Sequence, residues 1–193
     1  MTRLRKGWLF VPTLAVGLLT LARASYGGAA YHGSVVDSET KAPLQGAVVV
    51  VVWHRKPIVT MDGPQYFHKA VEALTDAEGK FSVDASPGID WNPFTYVLKE
   101  PRIAIFKPGY GPFPVAHVSP RSVKDLKEAL LGEGALVELP RLKTKEELLK
   151  FTSPGNLWIS VDRDERIPHL MRLINIQRRS LGLQPYPGAF ERG

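Results

Sequence analysis

The sequence has no cysteine among its 193 residues. This absence excludes disulfides, cysteine-based metal sites and cysteine nucleophiles. A chain without disulfides must be stabilised by its hydrophobic core, and a chain of this length is able to bury one. The composition, 44% hydrophobic and 23% charged, suits one globular domain with some additional structure.

The residue patterns of common active sites are also missing. No serine stands in a nucleophile elbow, and the sequence offers no Ser–His–acid arrangement. It has no glycine-rich loop of the kind that holds phosphates, and no internal repeat. We therefore expect a protein that is not an enzyme and that uses no cofactor.

The N-terminus has the three parts of a secretory signal. Arg3, Arg5 and Lys6 form a basic segment, and residues 8–21 form an apolar one. Small residues then occupy the two positions that signal peptidase reads, so we expect cleavage after Ala24. The apolar segment is shorter than the roughly 20 residues that span a bilayer. The segment predicts an exported protein, periplasmic or extracellular, with no stable transmembrane segment after cleavage; an uncleaved signal-anchor is the alternative.

A basic excess is missing once this segment is removed. The full chain has 25 Lys and Arg against 19 Asp and Glu, and the signal carries four of the bases and no acid. The remaining chain is close to neutral. Because nucleic-acid binding needs a concentrated basic face, we do not expect a nucleic-acid partner.

The rest of the chain predicts a mainly β fold. Short runs of β-branched and aromatic residues alternate with turns that contain Gly and Pro, a pattern typical of a β-sandwich. Residues 66–83 are predicted to form a hairpin around a turn at Gly79. The other predicted strands are residues 31–36, 47–53, 102–106 and a closing strand at 136–139.

The C-terminal part predicts short helices. Thr144 and Glu147 form a capping box, and Pro168 stands where the first turn of a later helix would begin. Apolar residues then recur at helical spacing, and Gly182 and Pro185 end the pattern.

Spaced residues in the first half of the chain carry a family resemblance. They are GSVVD at 33–37, Pro43-Leu44, Gly46-Ala47, Val49, Thr75-Asp76, Gly79, Phe81 and IFKPGY at 105–110. In this order they resemble the carboxypeptidase regulatory-like domain. The resemblance implies an Ig-like, transthyretin-like antiparallel β-sandwich without catalytic activity, as in small exported bacterial proteins. We accordingly divide the chain into a signal peptide at 1–24, the sandwich at 25–118, and a mixed extension at 119–193.

The valine run has apolar residues on both faces of its strand. Val48, Val50 and Val52 point one way, and residues 49, 51 and 53 point the other. A sandwich strand needs only one apolar face, and burial of three further valines would contribute about 4–6 kcal/mol. We therefore expect the helical tail to pack on the outer face of this sheet; the alternative is that this face binds another protein.

Two histidines flank the loop at residues 57–65. If the flanking strands pair, His54 and His68 would lie nearly opposite each other, close enough to share a metal ion. Without a third ligand in the sequence, ordinary surface histidines are the alternative.

A second candidate site is aromatic. Trp91, Phe94 and Tyr96 stand in a segment rich in Pro and Gly, and with Trp53 they predict a surface that binds a sugar or a peptide. Aromatic residues that only cover the end of the sandwich are the alternative.

The interpretation that joins these observations is an exported, non-catalytic β-sandwich module with a binding or structural role in the cell envelope. Its partner would be an envelope protein, a peptide or a glycan. One alternative is a periplasmic metal-binding protein that uses His54 and His68. Another is a transthyretin-like hydrolase, which the absence of a terminal Tyr-Arg-Gly-Ser motif disfavours.

Overall fold

The computed structural model describes residues 30–59, 63–88, 96–114, 128–131 and 134–187. The predicted signal peptide lies outside these residues. Within them the protein is mainly β, with two sheets and a few helices. The prediction of a mainly β, sandwich-like fold is confirmed at this level. The strands are β1 (Ala30–Asp37), β2 (Val48–Pro57), β3 (Tyr66–Leu74), β4 (Lys80–Asp84), β5 (Tyr96–Leu98), β6 (Arg102–Phe106) and β7 (Ala135–Leu139).

The strands are divided between a three-stranded and a four-stranded sheet. The first has the order β4-β1-β7; in the second, β2 lies between β3 on one side and both β5 and β6 on the other. β7 runs parallel to β1, with Ala135 opposite Gly33, whereas the other strand pairs are antiparallel. We expected an antiparallel sandwich, and the β1–β7 pair departs from this. A tight hairpin would force antiparallel pairing, but a long connection from the other sheet precedes β7 and allows it to run parallel to β1.

The predicted hairpin over residues 66–83 is wrong. β3 pairs with β2, and β4 pairs with β1, so the turn between them carries the chain from one sheet to the other. Thr75 holds this corner: its hydroxyl accepts the N–H of Ala47 at 2.8 Å and donates to the carbonyl of Leu44 at 2.5 Å. Gly79 has a φ of +73°, and a Cβ there would lie 2.5 Å from the carbonyl oxygen of Val35. Local turn residues predicted the turn correctly, but they did not determine which strands pair with each other.

β2 is buried on both faces, because its alternate valines enter different cores. The inner core lies between the two sheets, and the outer core lies between the four-stranded sheet and the C-terminal extension. The inner core contains Val35, Val49, Val51, Trp53, Phe81, Ile105 and Val137, among others. The outer core contains Val48, Val50, Val52, Ala104 and Phe106 of the sheet, with Phe151, Leu157, Ile159, Ile167, Leu170, Met171 and Ile174 of the extension.

The extension contains several short helical segments. Residues 128–131 are helical, and the capping box of Thr144 and Glu147 begins helix α1 (Lys145–Leu149). Two 3₁₀ turns follow, at Pro154–Leu157 and Asp164–Arg166. Helix α2 (Pro168–Ser180) then supplies Leu170, Met171 and Ile174 to the outer core.

Helix α2 is held at its N-terminus by a residue of the sheet. The helix has no side-chain cap of its own. Instead, the carboxylate of Glu72 on β3 accepts the N–H groups of His169 at 2.9 Å and Leu170 at 2.8 Å. Burial raises the pKa of Glu72, and the two amide hydrogen bonds oppose that shift. The contact satisfies two otherwise free amides at the positive end of the helix and fixes its position on the sheet.

A buried glutamine holds the other end of the same helix. Gln177 accepts the N–H of Gly109 at 3.0 Å and donates to the carbonyls of Leu148 and Phe151, both at 2.9 Å. A buried amide must have its hydrogen bonds satisfied, and these partners come from two different segments. Gln177 therefore joins α2 both to the turn after β6 and to the end of α1.

Candidate functional site

The structure does not bring the two predicted metal ligands together. β2 and β3 pair as expected, but the register shifts between Trp53 and His54, which places His54 opposite Phe67. His54 lies with Phe67 on the face covered by the extension, and its Nε2 is 2.8 Å from the carbonyl oxygen of Ser160. His68 is the extra residue of this bulge. Its Nε2 is 3.0 Å from the carbonyl oxygen of Pro87, which follows strand β4 of the three-stranded sheet. The bulge thus turns the two imidazoles to opposite faces.

The surroundings of His54 favour a neutral imidazole. Burial lowers its pKa, the nearby charge of Arg102 lowers it further, and the hydrogen bond with Ser160 opposes the shift. Within the described part of the chain, no group of three or more His, Asp or Glu side chains is placed to hold a metal ion. The geometry of His54 and His68 is that of two separate structural contacts.

Trp53 does not contribute to an exposed aromatic surface. It is only 2% exposed and belongs to the inner core. The ammonium of Lys69 lies 5.5 Å from the centre of its ring, a cation–π contact at the edge of that core. Trp91 and Phe94 lie outside the described residues.

Tyr96, the remaining residue of the predicted surface, packs against an arginine and a second tyrosine. The guanidinium of Arg55 lies 4.5 Å from the centre of the Tyr96 ring, and Tyr66 meets this ring edge to face at 6.2 Å. Strand pairing makes this arrangement, because Arg55 stands opposite both Tyr66 on β3 and Leu98 on β5. The result is a pre-ordered platform of two tyrosines and one arginine at the end of the four-stranded sheet.

Further exposed residues lie at this end of the sheet. Val59 is 90% exposed, Val97 is 49% exposed and Tyr66 is 47% exposed, and Ile58 is also exposed. Val97 is paired with Lys56 and is the neighbour of Tyr96 on β5, so its side chain lies on the face of the strand opposite the Tyr96 ring. We call this set, namely Arg55, Ile58, Val59, Tyr66, Tyr96 and Val97, the tip surface. Of the residues in the tip surface, the sequence predicted only Tyr96 as a binding residue. The others were missed because the pairing that brings β5 beside the end of β2 was not predicted.

A shallow cleft of about 410 Å³ lies on the three-stranded sheet. His32, Ser34 and Lys80 line it, with a floor that includes Gly33 and Gly134. The ring nitrogen Nδ1 of His32 lies 3.3 Å from the carbonyl oxygen of Ala30, and the hydrogen bonds of the described residues include none between His32 and Ser34. An activated serine requires a base within hydrogen-bond reach, and no described hydrogen bond joins Ser34 to such a base.

The sequence contained no sign of a polar cluster that is centred on the buried Asp37. Asp37 accepts the N–H groups of Glu39 at 2.9 Å and Thr40 at 3.0 Å, and the hydroxyl of Tyr110 donates to it at 3.1 Å. Arg141 completes the cluster, 2.7 Å from the Tyr110 hydroxyl and 3.4 Å from the carboxylate. These hydrogen bonds, that of Thr40 first, lower the pKa of Asp37 to about 2. The cluster connects the end of β1 with the turn after β6 and with the extension, which is a structural role.

Comparison of the chain with protein-family models, with curated proteins and with solved structures gave no match. Among the described helices, none has both the length and the apolar character that crossing a membrane requires.

Proposed function

We propose that this protein is an exported, non-catalytic module of the cell envelope that binds another envelope protein through its tip surface. We further propose that its sandwich is of the transthyretin-like, Ig-like type found in carboxypeptidase regulatory-like domains. The signal-like N-terminus supports export, and the spaced residues from Gly33 to Tyr110 support the family. The observation that carries the binding role is the platform formed by Tyr66, which is exposed, and by Arg55 and Tyr96, which are half-buried.

The composition of the tip surface favours a protein partner. Tyrosine and arginine are the residue types that most often dominate binding energy at protein interfaces, especially when apolar contacts surround them. Arg55 and Tyr66 are already held against Tyr96, so binding would cost little additional side-chain entropy. Val59 and Val97 cannot form hydrogen bonds with the hydroxyl groups of a glycan, and this disfavours a sugar.

Site-directed photocrosslinking in intact cells tests the binding role. A photoreactive amino acid at position 59 or 97 should give the same crosslinked product, and the same amino acid at Leu149, an exposed residue of α1, should not. The double variant Tyr66→Ala/Val97→Asp should remove the product at position 59. The crosslinked protein, once identified and purified, should bind the wild type at least 10-fold more tightly than the double variant.

Two outcomes would contradict the proposal. One is a product formed equally well from position 149; the other is equal affinity of the purified partner for the wild type and the double variant. Export is tested separately, by mass spectrometry of the protein recovered from the envelope fraction. If the signal is cleaved as expected, the measured mass should be that of a chain that begins at Ser25. A protein that remains in the cytoplasm would overturn the cellular part of the proposal.

A further inference from the structure

Trp158 is an exposed aromatic residue in an unusual backbone conformation. Trp158 is 68% exposed to solvent. Its backbone has φ +61° and ψ +17°, which is the left-handed region. Bulky residues rarely occupy this region, because their Cβ crowds the neighbouring carbonyl. Neither exposure of a large apolar ring nor this backbone conformation favours folding, so the arrangement calls for a functional explanation.

The residues on either side hold Trp158 in this position. Leu157 is fully buried and Ile159 almost so, both in the outer core. The N–H of Trp158 donates to the carbonyl of Gly155 at 3.1 Å, which closes the 3₁₀ turn. Two buried neighbours and a closed turn direct the indole outward from a fixed backbone.

A groove of about 230 Å³ lies beside the indole. Two prolines, an isoleucine and a leucine supply rigid apolar walls, and Arg102 is the one charged residue among those that line it. Arg102 is exposed and forms no ion pair with any other described residue. We call this feature the Trp158 groove; its lining residues are Pro101, Arg102, Ile103, Pro114, Leu157 and Trp158.

We propose that the Trp158 groove binds an extended peptide segment of another protein, with an apolar side chain in the groove and an adjacent acidic side chain paired with Arg102. Aromatic rings beside proline walls are suited to aliphatic or proline side chains, which stack on flat apolar surfaces. Arg102 adds charge complementarity, because its guanidinium has a planar geometry that matches a carboxylate.

The lining disfavours a sugar as the occupant. A sugar ring needs several polar side chains for its hydroxyl groups, and here only Arg102 and the indole N–H of Trp158 could supply side-chain hydrogen bonds, both as donors. The volume is below the range usual for pockets that enclose whole small molecules, and it is suited to one or two side chains. The groove shares no residue with the tip surface, so this inference does not depend on the function proposed above.

Binding of blocked peptide libraries to the purified protein tests the proposal. The probe is a fluorescent library of N-acetylated, C-amidated nonapeptides in which a central Leu, Ile or Pro precedes Asp or Glu. A matched library has Lys at the acidic position. Fluorescence anisotropy should show preference of the wild type for the acidic library, and Arg102→Glu should reverse this preference. Leu136→Ala, at an exposed residue of the other sheet, is the control and should leave binding unchanged.

Variants of Trp158 separate a binding role from a structural one. Glycine tolerates the left-handed conformation, so Trp158→Gly should keep or raise the melting temperature while it weakens binding of the acidic library at least 10-fold. Trp158→Ala should weaken binding equally. The proposal is overturned if Arg102→Glu leaves the charge preference unchanged, if Trp158→Gly binds like the wild type, or if only oligosaccharide probes compete for the groove.

Discussion

At the scale of single residues, buried polar groups decide how the segments of this protein meet. Asp37 joins β1 to the turn after β6 through Tyr110, and to the extension through Arg141. Glu72 and Gln177 hold opposite ends of helix α2 in the same way. Each of these groups has at least one hydrogen-bond partner far away in the sequence. Because an unsatisfied buried polar group is costly, such residues specify one arrangement of the segments over others.

The Asp37 cluster predicts a dependence of stability on pH. The folded pKa of about 2 lies below the ordinary value of 3.8, so the folded state binds fewer protons than the unfolded state between these values. The stabilisation is complete above about pH 4 and is lost as the pH falls through about 2. Asp37→Asn should therefore lower the melting temperature by several degrees at pH 6, and the difference from the wild type should narrow towards pH 2.

Thermal unfolding of both proteins between pH 6 and pH 2 is the measurement. The comparison with the variant isolates Asp37 from other carboxylates, such as Asp84, whose pKa is lowered by Lys69. If the difference in melting temperature between the wild type and Asp37→Asn is the same at every pH, the charge of Asp37 does not stabilise the fold.

At the scale of elements, the important pairing is that of helix α2 with strand β2. Ile174 of the helix is fully buried in the outer core with Val48, Val50 and Val52. Ile176, only two residues later, is 43% exposed, because two residues correspond to about 200° around a helix. The same helix thus offers a buried and an exposed isoleucine of equal size and equal helix propensity.

These two isoleucines give a matched test of the packing. Ile174→Ala should destabilise the protein by about 2–5 kcal/mol, because it removes buried methyl groups and leaves a cavity between helix and sheet. Ile176→Ala should change the free energy of unfolding by less than about 1 kcal/mol. Urea denaturation measures both. Equal effects of the two substitutions would show that α2 does not pack on the sheet in solution.

At the scale of the whole molecule, the extension acts as the third layer of the fold. The four-stranded sheet is apolar on both faces, so two layers would leave Val48, Val50 and Val52 exposed to water. The extension covers them with side chains from α1's end, the first 3₁₀ turn and α2. We therefore expect the sandwich without this cover to lose solubility.

Truncation of the extension tests this organisation. Removal of residues 164–193 should unfold or aggregate the protein, because it exposes one face of β2 and deletes the partners of Glu72. Removal of residues 188–193 alone is the control and should leave the melting temperature within a few degrees of the wild type. An unchanged melting temperature after the longer truncation would refute the three-layer description.

The sequence by itself determined the features that depend on neighbouring residues. Alternation and β-branching marked the strands, the Thr144–Glu147 capping box marked the start of α1, and valines on both faces of β2 indicated that two layers must cover it. The tertiary structure decided what depends on pairing between distant segments. It separated β3 from β4, placed β7 parallel to β1, and used a one-residue bulge to turn His54 and His68 to opposite faces.

The sites follow the same division. Tyr96 was visible in the sequence as an aromatic residue, but its platform needs Arg55 and Tyr66 from two other strands. Trp158 had no sequence signal, because its exposure results from burial of the residues on either side. Local patterns report the preferences of a few consecutive residues, whereas register and layer contacts depend on free energies summed over the whole chain, and this is why only the folded structure decided them.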